Sequence, residues 1–251
     1  MEKPEYPAKG DALKDHVVLI TGAGDGIGKA VATAAAGQGA TVILTGRTSK
    51  KLEICYDEII AQDFTEPFIY KLDLTEVDDK AAIKLAEGIY REFGRLDGLL
   101  HNAAILGTMA PYAQFATDLW HKIFQVNVHA PFILTKFCHP LLQRSDKASV
   151  IFTGSGLGIK GIAYWGAYSA TKFANEGMMQ TLAEEFSQDK IKVNLIDPGV
   201  VRTRMRASAF PAEDPKKLPA PESITDAYIY LLSQDSKNLS GHRFNVWQKT
   251  R

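Results

Sequence analysis

Tyr168 and Lys172 stand four positions apart in the run Tyr168-Ser169-Ala170-Thr171-Lys172. On a helix, that spacing puts a phenol and an ammonium group on one face, a turn apart. A free phenol ionises near pH 10 (about 10), too high for a base at neutrality. Lowering that value by about 3 units needs roughly 4 kcal/mol of preferential stabilisation of the phenolate, and a nearby ammonium group acts in that direction. Ser155 stands thirteen residues before Tyr168, just after a β-branched run. Its hydroxyl can bond a carbonyl oxygen and hold it for attack. Asn127 lies in the helical segment before that run. A YxxxK pair alone is common in helices as a solvated lysine beside a packed tyrosine. The weight rests on the combination.

The second feature is a glycine turn, Thr21-Gly22-Ala23-Gly24-Asp25-Gly26-Ile27-Gly28, which follows the first β-branched run and opens into a helix. Glycines let the backbone turn tightly and approach a pyrophosphate, and the helix N-terminus offers free N–H groups and a positive dipole end. The pattern is TGxxxGxG, with Ile27 where the usual GxGxxG fingerprint has its last glycine. Between a first strand and a first helix, such a turn marks a dinucleotide site. The second strand ends in Gly46-Arg47-Thr48, with no carboxylate to take a ribose 2′-hydroxyl. The Arg47 guanidinium suits a 2′-phosphate instead, so NADP(H) is the expected cofactor. A surface arginine is the bland reading of Arg47, and Asp25 adds negative charge in the same loop, which keeps NAD(H) as the alternative. After the third strand, Asp73-Leu74 places a carboxylate that either an adenine amino group or a helix N-terminus would use. After the fourth, His101-Asn102-Ala103-Ala104 supplies small residues on which a nucleotide can lie. An oxidised nicotinamide would add a second positive charge beside Tyr168.

These residues need a frame that brings them together. Seven short runs read as strands, at His16–Thr21, Thr41–Thr45, Phe68–Leu72, Leu96–His101, Ser149–Thr153, Lys192–Ile196 and Arg243–Val246. Helical segments lie between them near 27–38, 49–62, 76–93, 117–143, 166–187 and 222–233. Regular alternation, with strands that lack polar alternation, predicts an α/β fold: a Rossmann-type doubly wound parallel sheet of about seven strands, with helices on both faces. The crevice of such a sheet lies at the strand carboxyl ends, so the residues just after each strand are the ones that face it. Residues 1–14 read as a disordered lead-in and 15–251 as a single dinucleotide-binding catalytic domain. The Pro-rich stretch 204–221 reads as a substrate lid rather than a plain surface connection.

With these motifs on the page, the chain resembles the short-chain dehydrogenase/reductase family from about residue 15 to residue 247. The resemblance implies reversible hydride transfer between nicotinamide and a carbonyl or secondary alcohol carbon. It carries the family's glycine motif to Thr21, Gly22, Gly26 and Gly28, its adenine-side acid to Asp73 and its NNAG asparagine to Asn102. The first Asn and last Gly of NNAG are replaced here, by His101 and Ala104. It gives Tyr168 the proton, Ser155 the substrate oxygen, Lys172 the ribose hydroxyls and the phenol, and Asn127 a water in the proton relay. In Asp197-Pro198-Gly199-Val200-Val201-Arg202-Thr203, which resembles the family's PG motif, Pro198 and Gly199 are implied to line the nicotinamide. Val201 and Thr203 are implied to hold its carboxamide, or for Thr203 a phosphate. Segments 117–143 and 166–187 resemble the helix pair through which the family dimerises, so a homodimer or homotetramer is implied.

Bulk properties narrow the classes. The chain has 251 residues, 45% of them apolar, and 29 basic side chains against 29 acidic ones. No basic excess points to nucleic acid, and no apolar run is long enough for a membrane span. Cys55 and Cys138 form no CxxC, which fits a reducing cytoplasm. The six histidines include no HxH or HExxH, so no metal site is expected. Gly154-Ser155-Gly156 lacks the earlier glycine of a hydrolase GxSxG turn, since Thr153 stands there. Tyr164, Trp165 and Tyr168 read either as packing or as the lining of an apolar substrate pocket. The expected partner is a small carbonyl or alcohol. A catalytically silent NADP-binding regulatory or scaffold protein of the same fold is the alternative, and a nucleotide-sugar epimerase is disfavoured by the short C-terminal part.

Overall fold

The computed structural model describes residues 10–247. In chain order they form β1 (Val17–Thr21), α1 (Gly26–Gly37), β2 (Thr41–Gly46), α2 (Ser49–Ile60), β3 (Phe68–Lys71), α3 (Asp79–Phe93) and β4 (Gly98–His101). Then come α4 (Thr117–Phe124), α5 (Ala130–Leu142), β5 (Ser149–Thr153), α6 (Gly166–Glu185), β6 (Lys192–Asp197), α7 (Arg204–Ala209), α8 (Thr225–Leu232) and β7 (Arg243–Asn245). The sheet runs β3-β2-β1-β4-β5-β6-β7, and every pairing is parallel. This is the doubly wound sheet that the alternation predicts. The order reverses between β1 and β4, and the crevice opens there, at the carboxyl ends.

Period-two side-chain alternation divides the strands between two cores. Val18, Ile20, Val42, Leu44, Leu100 and Ile151 pack with apolar residues of α1, α2 and α8. Val17, Leu19, Ile43, Leu99, Val150 and Phe152 pack with those of α3, α5 and α6. Both faces are covered, so the strands read as continuous apolar runs. Each fully buried Leu or Ile contributes roughly 1.5–3 kcal/mol over an exposed one. The sheet thereby holds the strand ends, and the residues that follow them, in fixed relative positions.

Four expectations change. The segment 117–143 is not one helix: a π-helical turn, Gln125–His129, separates α4 from α5. Pro131, near the start of α5, has no N–H to give the carbonyl four residues back, that of Asn127, so a regular α-ladder cannot continue through it. The lid region is also more ordered than its prolines suggest. Thr203 accepts from Arg206 N at 3.1 Å and caps α7, which ends before Pro211. The last long helix starts at Thr225 rather than 222, after a 3₁₀ turn Pro221–Ile224. Finally, the expected disordered lead-in fails for residues 10–14. Leu13 is fully buried, and its N–H donates to Gln38 O at 3.0 Å. Residues 1–9 lie outside the described residues.

Candidate active site

A cleft of about 1040 Å³ runs along the strand carboxyl ends. At one end the glycine turn forms its floor. Gly22 and Gly26 have φ of +70° and +52°, a region that side chains rarely adopt. Gly24, Asp25 and Ile27 also line the cleft, while Gly28 lies beneath it. A Cβ at Gly28 would stand 2.3 Å from Gly22 O and 2.5 Å from Asn102 Nδ2, so only glycine lets the helix start this close to the turn. Thr21 ties the turn to β4: its hydroxyl donates to Leu100 O at 3.2 Å and accepts from Asn102 N and Ala103 N at 3.0 and 3.1 Å. Asn102 Nδ2 donates to Thr21 O at 3.1 Å. Asn102 therefore braces the turn, and Ala103 and Ala104 offer the cleft a small surface.

Arg47 lines the same end, exposed. The Asp25 carboxylate is not bare: Lys51 Nζ donates to it at 2.7 Å and Arg204 donates to it from the start of α7. Asp73 Oδ1 accepts from Thr75 N at 3.0 Å and from the Thr75 hydroxyl at 2.9 Å. Those bonds hold its carboxyl below the usual carboxylate range. Asp73 does not serve a helix N-terminus, since Asp78 caps α3, and it lines the cleft together with Leu74.

The other end gathers Ser155, Tyr168 and Lys172. Ser155 adopts an extended conformation (φ −167°) and heads a 3₁₀ turn, and its Oγ accepts from Leu157 N at 3.2 Å. That bond occupies a lone pair and leaves the hydroxyl proton free for another acceptor. Ser155 faces the Tyr168 phenol and favours its ionised form. Lys172, 3% exposed, donates from Nζ to Thr153 O at 2.6 Å and lies 5.5 Å from the centre of the Tyr168 ring. Burial pushes its amine down to about 8, against the pull of Asp197 and Glu176.

The protein's own groups do not lower the phenol as the sequence predicts. Burial pushes Tyr168 well above its ordinary value, and the Asp197 carboxylate adds to the rise. The lysine head is turned toward the Thr153 carbonyl, and the group that favours the phenolate is the Ser155 hydroxyl. Asn127 is 1% exposed and sits behind the cleft, not in it. It accepts from Ile105 N at 2.9 Å and donates to Ile105 O and Thr171 Oγ1 at 3.0 and 3.1 Å. Its side chain thus fastens the loop after β4 to α6. Thr203 spends its hydroxyl oxygen on the α7 cap. Pro198, Gly199 and Val201 line the cleft, with Gly199 at φ +65° over the Trp247 indole, whose Nε1 donates to Pro198 O at 2.9 Å. His101 is buried, pushed down to about 3, and bonded to Thr135 Oγ1 at 2.8 Å, so it belongs to the core.

The sequence reading misses Asp197, Glu176 and Arg243, which form an ion cluster behind Ser155, and Lys51 at the glycine-turn end. Asp197 stands just before the Pro-Gly turn, and Glu176 is one turn beyond Lys172 on the same helix face. Those two spacings were available signals. Arg243 carries none, because it comes from a strand far along the chain. Trp165 and Phe210 face each other across the mouth at 5.8 Å, which assigns Trp165 to the pocket lining.

This arrangement has known counterparts. The model of the family described as short chain dehydrogenase matches residues 16–214. The oxidoreductase YciK of Escherichia coli strain K12 is 45% identical over 241 residues, covering 96% of this chain and 95% of that one. A short chain dehydrogenase from Shigella flexneri 2a strain 301, solved in complex with NADP, is 44% identical, with a TM-score of 0.93 and coverage of 96% and 100%. One from E. coli CFT073, solved with NADPH, is 45% identical, with the same TM-score and coverage. The chain belongs to the short-chain dehydrogenase family of oxidoreductases.

Proposed function

We propose that this chain interconverts a carbonyl and a secondary alcohol with NADP(H), and that Tyr168 is the acid–base group. One observation carries the reading: Ser155, Tyr168 and Lys172 converge on the cleft whose far end holds the glycine turn and Arg47. The residues fit the cofactor. Two glycines with positive φ open the turn, and the Asp25 side chain makes no capping bond to the first amides of α1. Arg47 and Lys51 supply positive charge where β2 ends. The NADP and NADPH complexes of the Shigella and E. coli relatives support the same choice.

When bound, the nicotinamide supplies the hydride chemistry. The chain's own residues do the rest. Ser155 donates its free hydroxyl proton to the substrate oxygen and orients it. Tyr168 gives a proton to that oxygen in reduction and takes it in oxidation, and the raised phenol keeps it protonated for the reductive direction. Lys172 lies beneath the phenol to bind ribose hydroxyls. Asn127 acts through the loop and helix it joins.

The mouth favours an apolar substrate body. Leu106, Ile162, Trp165, Met205 and Phe210 line it, and the helix α7 within 204–221 serves as the lid. Self-association through α4, α5 and α6 belongs to the same reading, supported by Phe132 and Phe173, which are 56% and 46% exposed. A cytoplasmic setting fits the two free, buried cysteines.

The test uses NADPH deuterated at the transferable position, with a panel of apolar ketones, quinones and acyl-thioester carbonyls. A reduced ketone is expected to carry one deuterium at the new carbinol carbon, a reduced quinone is read by loss of NADPH absorbance, and NADPH outperforms NADH. Tight NADPH binding with no transfer to any member would favour the silent scaffold instead.

A further inference from the structure

Directly behind the site lies a cluster of charge that the mechanism above does not use. Arg243, on β7, donates from Nε to Glu176 Oε1 at 2.8 Å. Its Nη2 donates to Asp197 Oδ2 at 2.6 Å and to Ser155 O at 3.2 Å. The three side chains are 22%, 10% and 7% exposed, in the order Arg243, Glu176, Asp197. Glu176 follows Lys172 by one turn and Tyr168 by two on α6, so a grip on it fixes the rotation of the helix that carries both. Asp197 ends β6, and its Oδ1 accepts from Gly199 N at 2.9 Å, shaping the Pro-Gly turn. The Ser155 carbonyl belongs to the residue whose hydroxyl faces the phenol. The loop after Ser155 also rests directly on this stretch of helix: a Cβ at Gly158 would lie 2.9 Å from Lys172 O and 3.2 Å from Glu176 Cγ.

Buried ion clusters are poor sources of stability, because apolar side chains of similar size often serve as well. This one joins three segments that each hold a site residue. We propose that Arg243 is a positioning residue for proton transfer, tying the end of β5 and the face of α6 to the end of β6 so that Ser155 and Tyr168 stay in register. The inference rests on the reading of Tyr168 as the acid–base group. The charged and titratable groups around that phenol are Lys172 and Glu176 from α6, Asp197 from β6, Arg243 from β7 and Tyr228 from α8. Removing the guanidinium takes away the ion-pair partner of both carboxylates and leaves Lys172 as the cation they share.

The experiment measures phenol ionisation in the NADP⁺-bound protein by ultraviolet difference titration, with Tyr168→Phe as the blank. It also measures kcat and KM on whichever panel carbonyl is reduced. Arg243→Met is expected to raise the midpoint by about 1 pH unit or more and to lower kcat roughly tenfold to a hundredfold, with KM for NADPH little changed. Arg243→Lys restores the midpoint but not kcat, since an ammonium cannot reproduce the planar fork. Asp197→Asn keeps an acceptor for Gly199 N and removes a negative charge, so the midpoint moves down. If Arg243→Met does not fold, the Asp197→Asn shift decides. Parent midpoints and parent kcat in Arg243→Met and Asp197→Asn, with only a lower Tm, would overturn the proposal. Turnover retained in Tyr168→Phe would instead sink the underlying reading, and the midpoints would still report on the clamp.

Discussion

Arg204, the first residue of α7, donates to the Asp25 carboxylate in the glycine turn, and so fastens the segment over the cleft to the loop beneath it. The sequence alone reads Asp25 as negative charge set against a 2′-phosphate. In the fold that carboxylate is shared by Arg204 and Lys51, and Arg47 stands on the same side of the cleft. The Arg204 side chain is 67% exposed, so the pair adds only about 0–1 kcal/mol to stability. Arg204→Ala should therefore shift Tm by less than about 4 °C while NADPH leaves faster. Stopped-flow fluorescence of NADPH release checks this, and an unchanged release rate would reduce the pair to a surface contact.

Arg47 is the test of cofactor preference. An exposed guanidinium beside a phosphate makes charge-assisted bonds that a carboxylate would turn into repulsion. For Arg47→Asp, Kd for NADPH should rise about 10- to 100-fold, equivalent to roughly 1.4–2.8 kcal/mol, with Kd for NADH unchanged or lower. Titration of both cofactors shows the difference. An equal loss for the two would mean that Arg47 does not touch the 2′ position.

Gly28 and Gly88 make a matched pair. Alanine at Gly28 has no room against Gly22 O and Asn102 Nδ2, so the turn must open, at a cost of about 1–3 kcal/mol. NADPH binding should be lost with it. Among the described residues nothing lies within 4 Å of a Cβ at Gly88, inside α3, and Gly88→Ala should stabilise by about 0.5–1 kcal/mol. Urea unfolding of the two variants should move in opposite directions.

The cysteines should be inert in the folded protein. Both are buried, with Cys55 pushed up to about 11 and Cys138 to about 12 by desolvation. The thiolate is the reactive form, so a disulfide reagent at neutral pH should label neither until denaturant is added. Rapid labelling in native buffer would mean that one helix opens readily.

Much of this was readable in one dimension, for a physical reason. A parallel sheet covered on both faces imposes long apolar strands and regular alternation, and its cofactor turn imposes glycines at fixed positions. Tyr168 and Lys172 share a helix, so their spacing speaks for itself. The break at Gln125–His129 had a signal that reading 117–143 as one helix passed over: Pro131 lies inside that segment and has no N–H for the carbonyl of Asn127. The electrostatic balance at Tyr168 was hidden. It depends on burial of the ring and on Asp197, which comes from the end of β6, with the Ser155 hydroxyl acting the other way. Arg243 reaches its partners across 46 to 88 residues of chain, and no local pattern announces such a contact.

The account stands on the phenol of Tyr168 exchanging the substrate's proton, and Tyr168→Phe removes that hydroxyl while keeping the ring. The decisive measurement is deuteride transfer from labelled NADPH to a reducible carbonyl, with cofactor affinity taken on the same sample. The account predicts unchanged NADPH binding and a kcat lower by at least about 100-fold, the scale of acid–base catalysis. Transfer at the parent rate by a correctly folded Tyr168→Phe would contradict it.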